Sequence, residues 1–204
     1  MNVGMIRCAR DTISLMNTTP IIIFDGPDNV GKGTQLSLLR KHYKDIPFAI
    51  TNLDKPIGAN SEEKREYGLA AAYGQLTTLF AGYQAGIPQI ADRAHYSEYA
   101  YSILRGQHQL TDIMEMESEF KEYKDDVLSI IFIDEVENIC ERDDGNSNYG
   151  EEVVENIKNI ITNFKEHAAA SLFETHIIDI NGKDIEIVQQ EVNTLIAKKF
   201  PTIG

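Results

Sequence analysis

The stretch IIIFDGPDNVGKGTQLSLL, residues 21–39, decides how this chain is read. Ile21 to Phe24 is an apolar, β-branched run bounded by Asp25 and Gly26, which predicts a buried strand opening into a glycine-rich turn. Leu36, Leu39 and Tyr43 then recur at spacings of three and four, so a helix is expected over about residues 32–43. Between strand and helix stands Gly26-x-x-x-x-Gly31-Lys32, and that context turns a string match into a phosphate-binding loop. Glycines let backbone N–H groups point inward, the helix N-terminus adds partial positive charge, and Lys32 reaches the terminal phosphates. Asn29, Val30, Gly33 and Thr34 complete the expected cradle. The other reading of the same residues is a tight strand-to-helix turn with an incidental lysine. Gly33 stands where the usual motif has a Ser or Thr hydroxyl on magnesium.

Outward from this stretch, strands and helices alternate. Phe48–Ile50, the run IPQIADR (87–93), VLSIIFID (127–134) and THIIDI (175–180) read as four further strands. Helices are expected over about 62–85, ended by Gly86 and Pro88, then in HYSEYAYSILRG, TDIMEMESEFKEYK, a short segment after residue 134, 151–170 and 185–199. On the long helix, Leu69, Tyr73, Leu76, Leu79, Phe80 and Tyr83 are expected to form one apolar stripe. This alternation predicts a five-stranded parallel sheet covered on both faces, an α/β/α sandwich whose sites lie at the strand C-terminal ends.

At 204 residues, 42% of them hydrophobic, the chain suits one domain with a sizeable core. Residues 1–19 are expected to be an extra tail, and 20–204 the domain. No apolar run approaches the ~18 residues of a membrane span, so a soluble protein is expected. Cys8 and Cys140 have no metal-like spacing, which suits a reducing cytoplasm. The net charge of -13 argues against broad nucleic-acid contact, while a few focused cations can still bind a small phosphate. His95, His108 and His167 are read as surface residues.

ADRAHYSEYAYS, residues 91–102, carries a second constellation: Asp92-Arg93 at a strand end, then Ser97 and Tyr101 four apart on the following helix. Together with FDGPDNVGKGTQ it resembles the thymidylate kinase family, whose members show a Phe-acid-Gly-x-Asp-x-x-Gly-Lys loop and an Asp-Arg-aromatic-x-x-Ser-x-x-Ala-aromatic signature. The resemblance covers nearly the whole chain after Pro20. It implies a P-loop NTPase-type fold with a short lid at about 140–151. It also implies an ATP-dependent nucleoside monophosphate kinase that passes the γ-phosphate, with Mg2+, to a deoxynucleoside monophosphate, dTMP or a related pyrimidine. A cytoplasmic homodimer acting on small nucleotides follows from the same likeness.

Carried over residue by residue, the resemblance has Asp28 reach the 3'-hydroxyl of the deoxyribose and Arg93 hold the acceptor phosphate. Asp92 organises magnesium, and Ser97 and Tyr101 line the acceptor pocket. Lys55 takes the place of an arginine on the acceptor phosphate, and Arg142 is the lid cation. GKGTQ also resembles the adenylate kinase loop, so Thr34 contacts phosphate or metal while magnesium keeps more of its water. The family's base-stacking aromatic and base-reading arginine fall at Gly68 and Ala72, so Tyr67 or Tyr73 is left to stack and Gln75 to bond the base.

Alternatives stay open at several of these positions. Asp92-Arg93 also reads as a strand-end ion pair, Lys55 as a solvated loop lysine, and Arg142 as a helix C-terminal arginine favoured by the macrodipole. For Tyr73 and Gln75 the alternative is a core tyrosine and an exposed amide. Two other functions share these features: a deoxynucleoside kinase using Asp25 as general base, and a nucleotide-binding module without transfer activity.

Overall fold

The computed structural model describes residues 19–52, 61–104, 109–143, 149 and 152–203. Most of the expected tail, Lys55, His108 and the middle of the expected lid lie outside the described residues.

Five parallel strands form one sheet: β1 (Ile21–Asp25), β2 (Ala49–Asn52), β3 (Gln89–Asp92), β4 (Val127–Ile133) and β5 (Glu174–Asp179). Their order is β2-β3-β1-β4-β5. β1, apolar up to Asp25, and the VLSIIFI run of β4 are buried along their whole length, as strands covered on both faces must be. At the sheet edge β5 buries less, and of its six residues only Ile178 is buried.

The helices are α1 (Lys32–His42), α2 (Ser61–Gln84), α3 (His95–Ala100), α4 (Leu110–Ser118), α5 (Val136–Glu141), α6 (Val153–Ala170) and α7 (Ile185–Lys199). They cover the sheet on both sides: α1 packs on α7, while α3 packs on α6 and α2. No described helix is long and apolar enough to cross a membrane. Two expected helices are shorter than their sequence runs. α3 passes into a 3-10 turn at Tyr101–Leu104, and α4 is followed by another at Lys121–Asp126.

The placement of β1 decides where function can sit. Lying between β3 and β4, it has Phe24 beside Asp92 and Asp25 beside Ile131. The loop after β1, the Asp92-Arg93 turn and Asp134 after β4 therefore emerge together at the C-terminal edge, where open α/β sheets bind ligands.

Two buried anchors hold α3 against this edge. Tyr96 is fully buried, and its Oη lies 3.0 Å from Ser129 Oγ, 2.9 Å from Ser171 Oγ and 2.9 Å from Thr175 Oγ1. The second corrects the surface reading of His95 and His167, both of which are fully buried. Their Nε2 atoms lie 2.7 Å and 2.9 Å from Glu117 Oε1. Glu117 Oε2 also accepts from the Leu172 N–H at 2.7 Å. Burial alone would push the Glu117 carboxyl up, yet hydrogen bonds from His167 and His95 hold it well below the usual carboxylate range. Burial lowers the pKa of His167, offset in part by its bond to Glu117. This cluster ties α3, α4 and α6 together, which explains charged groups that sequence alone assigns to solvent.

Candidate active site

The loop begins with a glycine that nothing can replace without rearrangement. Gly26 has φ of 137°, and a Cβ there would fall 2.2 Å from the Phe132 carbonyl oxygen. Gly31, with φ of 75°, opens α1, whose first turn carries no acidic residue and no side-chain cap. The N–H groups of that turn therefore face the loop as anion donors. Val30 is buried in the core beneath the loop, while Gly33 and Thr34 are exposed. Gly33 has no heavy atom within 4 Å of a Cβ built there, so packing does not require glycine at that position.

Lys32 lies folded under its own loop. Its Nζ donates to the Gly26 carbonyl at 2.9 Å and to the Pro27 carbonyl. Burial, and next the nearby charge of Arg93, bring its pKa down to about 7, with Asp25, Asp28 and Asp92 acting in the opposite sense.

Arg93 joins the loop to α3. Its φ of 67° is left-handed, and both backbone polar groups are tied down: the N–H donates to Phe24 O at 2.8 Å and the carbonyl accepts from Gln75 Nε2 at 2.6 Å. Its Nη1 donates to Gly26 O and to Ser97 Oγ, each at 3.0 Å, and Nη2 pairs with Asp28. The guanidinium stands 5.6 Å from the Tyr101 ring centroid. Tyr101 Oη in turn accepts the Asp28 N–H at 2.8 Å, and burial pushes that phenol above its ordinary pKa.

Asp25 is fully buried, and its bonding is complete. Oδ1 accepts from Gly26 N–H at 2.8 Å and Ser97 Oγ at 2.5 Å; Oδ2 accepts from Ala94 N–H at 2.9 Å and Ser97 N–H at 3.1 Å. Four donors use the four lone-pair sites of a carboxylate. Asp25 thus fastens β1 to the start of α3 and has no lone pair left for a substrate proton.

The structure brings Asp28, Lys32, Arg93, Ser97 and Tyr101 into one network, with Gln75 behind it. Asp92 is half-buried at the end of β3, and Thr34 lies in the first turn of α1. Tyr67 and Tyr73 stay outside: both are exposed, and Tyr73 Oη donates to Glu119 at 2.8 Å. Gln75 is buried instead, the reverse of the core-tyrosine, exposed-amide alternative. The face of α2 that enters the core runs through Ala72, Gln75, Leu76 and Leu79, so the expected stripe is rotated away from Tyr73. Arg142 donates to the Asn138 carbonyl at 3.0 Å and pairs with Asp134, the helix C-terminal arrangement.

Tyr149, which the sequence reading passed over, is buried and donates to the Asp28 carbonyl at 2.7 Å across 121 positions of chain. No local pattern marks that contact. Glu98 was also passed over, although its place beside Ser97 within the signature was a signal.

A comparison with protein families matches residues 22–197 to the ATPase family associated with various cellular activities (AAA). The chain belongs to this family. Among solved structures, the AAA-family chain is similar to thymidylate kinase from Candida albicans, at 18% identity and a TM-score of 0.66, covering 92% of this chain and 94% of that one. It is also similar to thymidylate kinase from Ehrlichia chaffeensis, at 16% identity and a TM-score of 0.65, covering 88% and 99%. The fold of this AAA protein is thus the thymidylate kinase fold implied by the sequence resemblance. No curated protein sequence matches the chain.

Proposed function

We propose that the protein is an ATP-dependent nucleotide kinase that transfers the γ-phosphate to a deoxynucleoside monophosphate. The observation that carries this reading is the Arg93 guanidinium, which contacts the phosphate loop at Gly26 O and Asp28 and the acceptor helix at Ser97. One cation thus spans the places expected for donor and acceptor phosphates. Phosphoryl transfer asks for this kind of positioning and charge neutralisation and for little covalent chemistry.

Gly26, Asn29, Val30, Gly31, Gly33 and Thr34 wrap the donor phosphates with the first turn of α1. Phosphate oxygens replace the Gly26 and Pro27 carbonyls as acceptors for Lys32, and a nearby anion restores its charged form. Asp28, held by Tyr101 and Tyr149 through its backbone, presents its carboxylate to the deoxyribose. Ser97 fixes Arg93 for the acceptor phosphate. Asp92 and Thr34 supply two oxygen donors, a set suited to Mg2+, which keeps several waters and takes few protein ligands. When bound, that ion neutralises charge on the transferring phosphoryl group. The full set of donors on Asp25 favours a monophosphate acceptor, because a nucleoside 5'-hydroxyl needs a general base within reach. By the family likeness the protein works as a cytoplasmic homodimer, with dTMP the first acceptor to try.

The test is ADP release from MgATP with a panel of nucleosides and monophosphates, for the parent and Lys32→Ala. Transfer to a monophosphate, abolished in the variant, is expected. ADP from no acceptor at all leaves a nucleotide-binding module, and a nucleoside outrunning every monophosphate leaves a nucleoside kinase.

A further inference from the structure

The two edges of the sheet are built differently. β2 closes one side with four residues, whereas β5 closes the other with six and contains no proline. The Ile180 N–H donates to the Ile133 carbonyl at 2.9 Å, which sets the alternation of the β4–β5 ladder. Thr175, Ile177 and Asp179 therefore turn their backbone N–H and C=O groups away from β4. Among the described residues none of these groups has a partner. Such an edge is a template for another strand, and proteins that avoid pairing there keep the strand short or place prolines and lysines on it. The outward positions of β5 hold neither.

Apolar surface continues from this edge onto α7. Ile177 is 40% exposed and Ile187 45%, and both line a groove of about 480 Å³ between β5 and α7, walled also by Ile178, Thr194 and Leu195. Exposed isoleucines joined by a groove, rather than scattered singly, mark a contact surface. Two copies of a chain with a net charge of -13 repel each other wherever their acids meet. At this edge the acids are answered from within the chain. Glu174 accepts from Lys199 at 2.8 Å and lies 3.0 Å from His176, and Glu191 accepts from Lys183 at 2.8 Å.

We propose that β5 pairs antiparallel with β5 of a second copy, about a two-fold axis at Ile177, so that two sheets become one. The outward residues are an odd set centred on Ile177, and the antiparallel register is therefore self-complementary. Ile177 faces Ile177 of the second copy, and Thr175 faces its Asp179. Each facing pair exchanges two backbone hydrogen bonds, about six in all. A hydroxyl then lies beside a carboxylate and an isoleucine beside an isoleucine, both favourable cross-strand neighbours. On the other side of the strand the same register sets His176 against Ile178 and Glu174 against Ile180, so no two like charges face each other. A two-fold axis uses one patch on both copies and closes the assembly as a dimer. The axis stands perpendicular to the sheet, so both α7 helices lie on one side of it and the two grooves adjoin.

No residue of this edge belongs to the phosphate loop or to the Arg93 network, and no readout of the test uses nucleotide, so the dimer and the kinase stand or fall separately. Sedimentation equilibrium of the full chain from about 1 to 100 μM should show a reversible dimer of the 22.9 kDa protomer. Ile177→Lys sets two ammonium groups opposite each other at the axis and should weaken the dimer at least about tenfold. Far-UV circular dichroism shows whether that variant is folded. Ile177→Cys supplies a second arm, because facing Cα atoms in this register stand about 5.5 Å apart, within the span of a disulfide. Mild oxidation should give a covalent dimer of Ile177→Cys on a denaturing gel. The parent should give none, nor should Ile103→Cys, at an isoleucine 47% exposed on the 3-10 turn after α3.

A parent that stays monomeric at about 100 μM would overturn the proposal. So would folded Ile177→Lys with the parent's dissociation constant, which would put the dimer on another surface, or Ile177→Cys cross-linking no more than the parent. If Ile177→Lys does not fold, the cysteine variant decides.

Discussion

Lys32→Met should make the ligand-free protein more stable while removing its activity. A lysine whose pKa is lowered from 10.5 to about 7 costs the folded state about 4 kcal/mol at pH 7, at about 1.4 kcal/mol per tenfold. Methionine keeps most of the buried stem and removes the charge. Against that gain stand two lost hydrogen bonds, to Gly26 O and Pro27 O, at roughly 1 kcal/mol each. Gly26 O retains Arg93 as a donor, so the net stabilisation is about 2 kcal/mol, or roughly 4–8 °C in Tm for a chain of this size.

The pH dependence follows from proton counting. Between about 7 and 10.5 the unfolded chain keeps the lysine proton and the folded chain has shed it, so raising pH favours the parent fold across that window. Below it, the penalty is present in full. Urea unfolding followed by circular dichroism at pH 7.0, 8.0 and 9.5, without nucleotide, should show the variant ahead at pH 7 and the gap closing as pH rises. A variant less stable than the parent at pH 7, or a gap independent of pH, would refute the reasoning. ATP should stabilise the parent and leave Lys32→Met little changed.

Three other outcomes are expected. Gly26→Ala should cost roughly 2–5 kcal/mol in urea unfolding, because its Cβ meets the Phe132 carbonyl, whereas Gly33→Ser should fold with parental stability and retain transfer activity. Glu117→Gln should lose about 3–5 kcal/mol by calorimetry, since it breaks a buried group bonded to two histidines, while transfer measured well below Tm stays intact. The lowered pKa values of His167 and Glu117 mean that the parent should lose stability as pH falls, first below about 6.5 and again below about 4.5; the second loss should be missing from the variant. Tyr101→Phe leaves the Asp28 N–H without its acceptor and should lower kcat/KM by roughly tenfold, and an unchanged value would show that Asp28 is held by other contacts.

Local pattern was enough for the phosphate loop, because every property it needs is carried by neighbours: a β-branched strand, two glycines in left-handed or otherwise restricted backbone, and a lysine opening a helix. The parallel sheet was legible for the same reason, since β1 and β4 are continuous apolar runs between turn residues. The contact between the loop and the segment after β3 was legible through spacing, with Ser97 and Tyr101 four apart and both bonded to it. Reading α2 by its large apolar residues turned it too far, toward Tyr73. Packing instead selected the face with Gly68, Ala72 and Gln75, where small side chains admit the neighbouring helix and its carboxylate.

The sequence by itself determined the order of strands and helices, the donor loop and the Asp92-Arg93 turn, because these are set by periodicity and backbone preference over a few residues. Only the tertiary structure decided which charges are satisfied and which are left to act. Asp25 is used up by α3, Lys32 is buried, Arg142 is drawn to Asp134, and His95 and His167 leave the surface for Glu117. The physical reason is that burial and hydrogen-bond partners come from segments far apart in the chain, and the free energy of a charged group depends on those partners more than on its own neighbours.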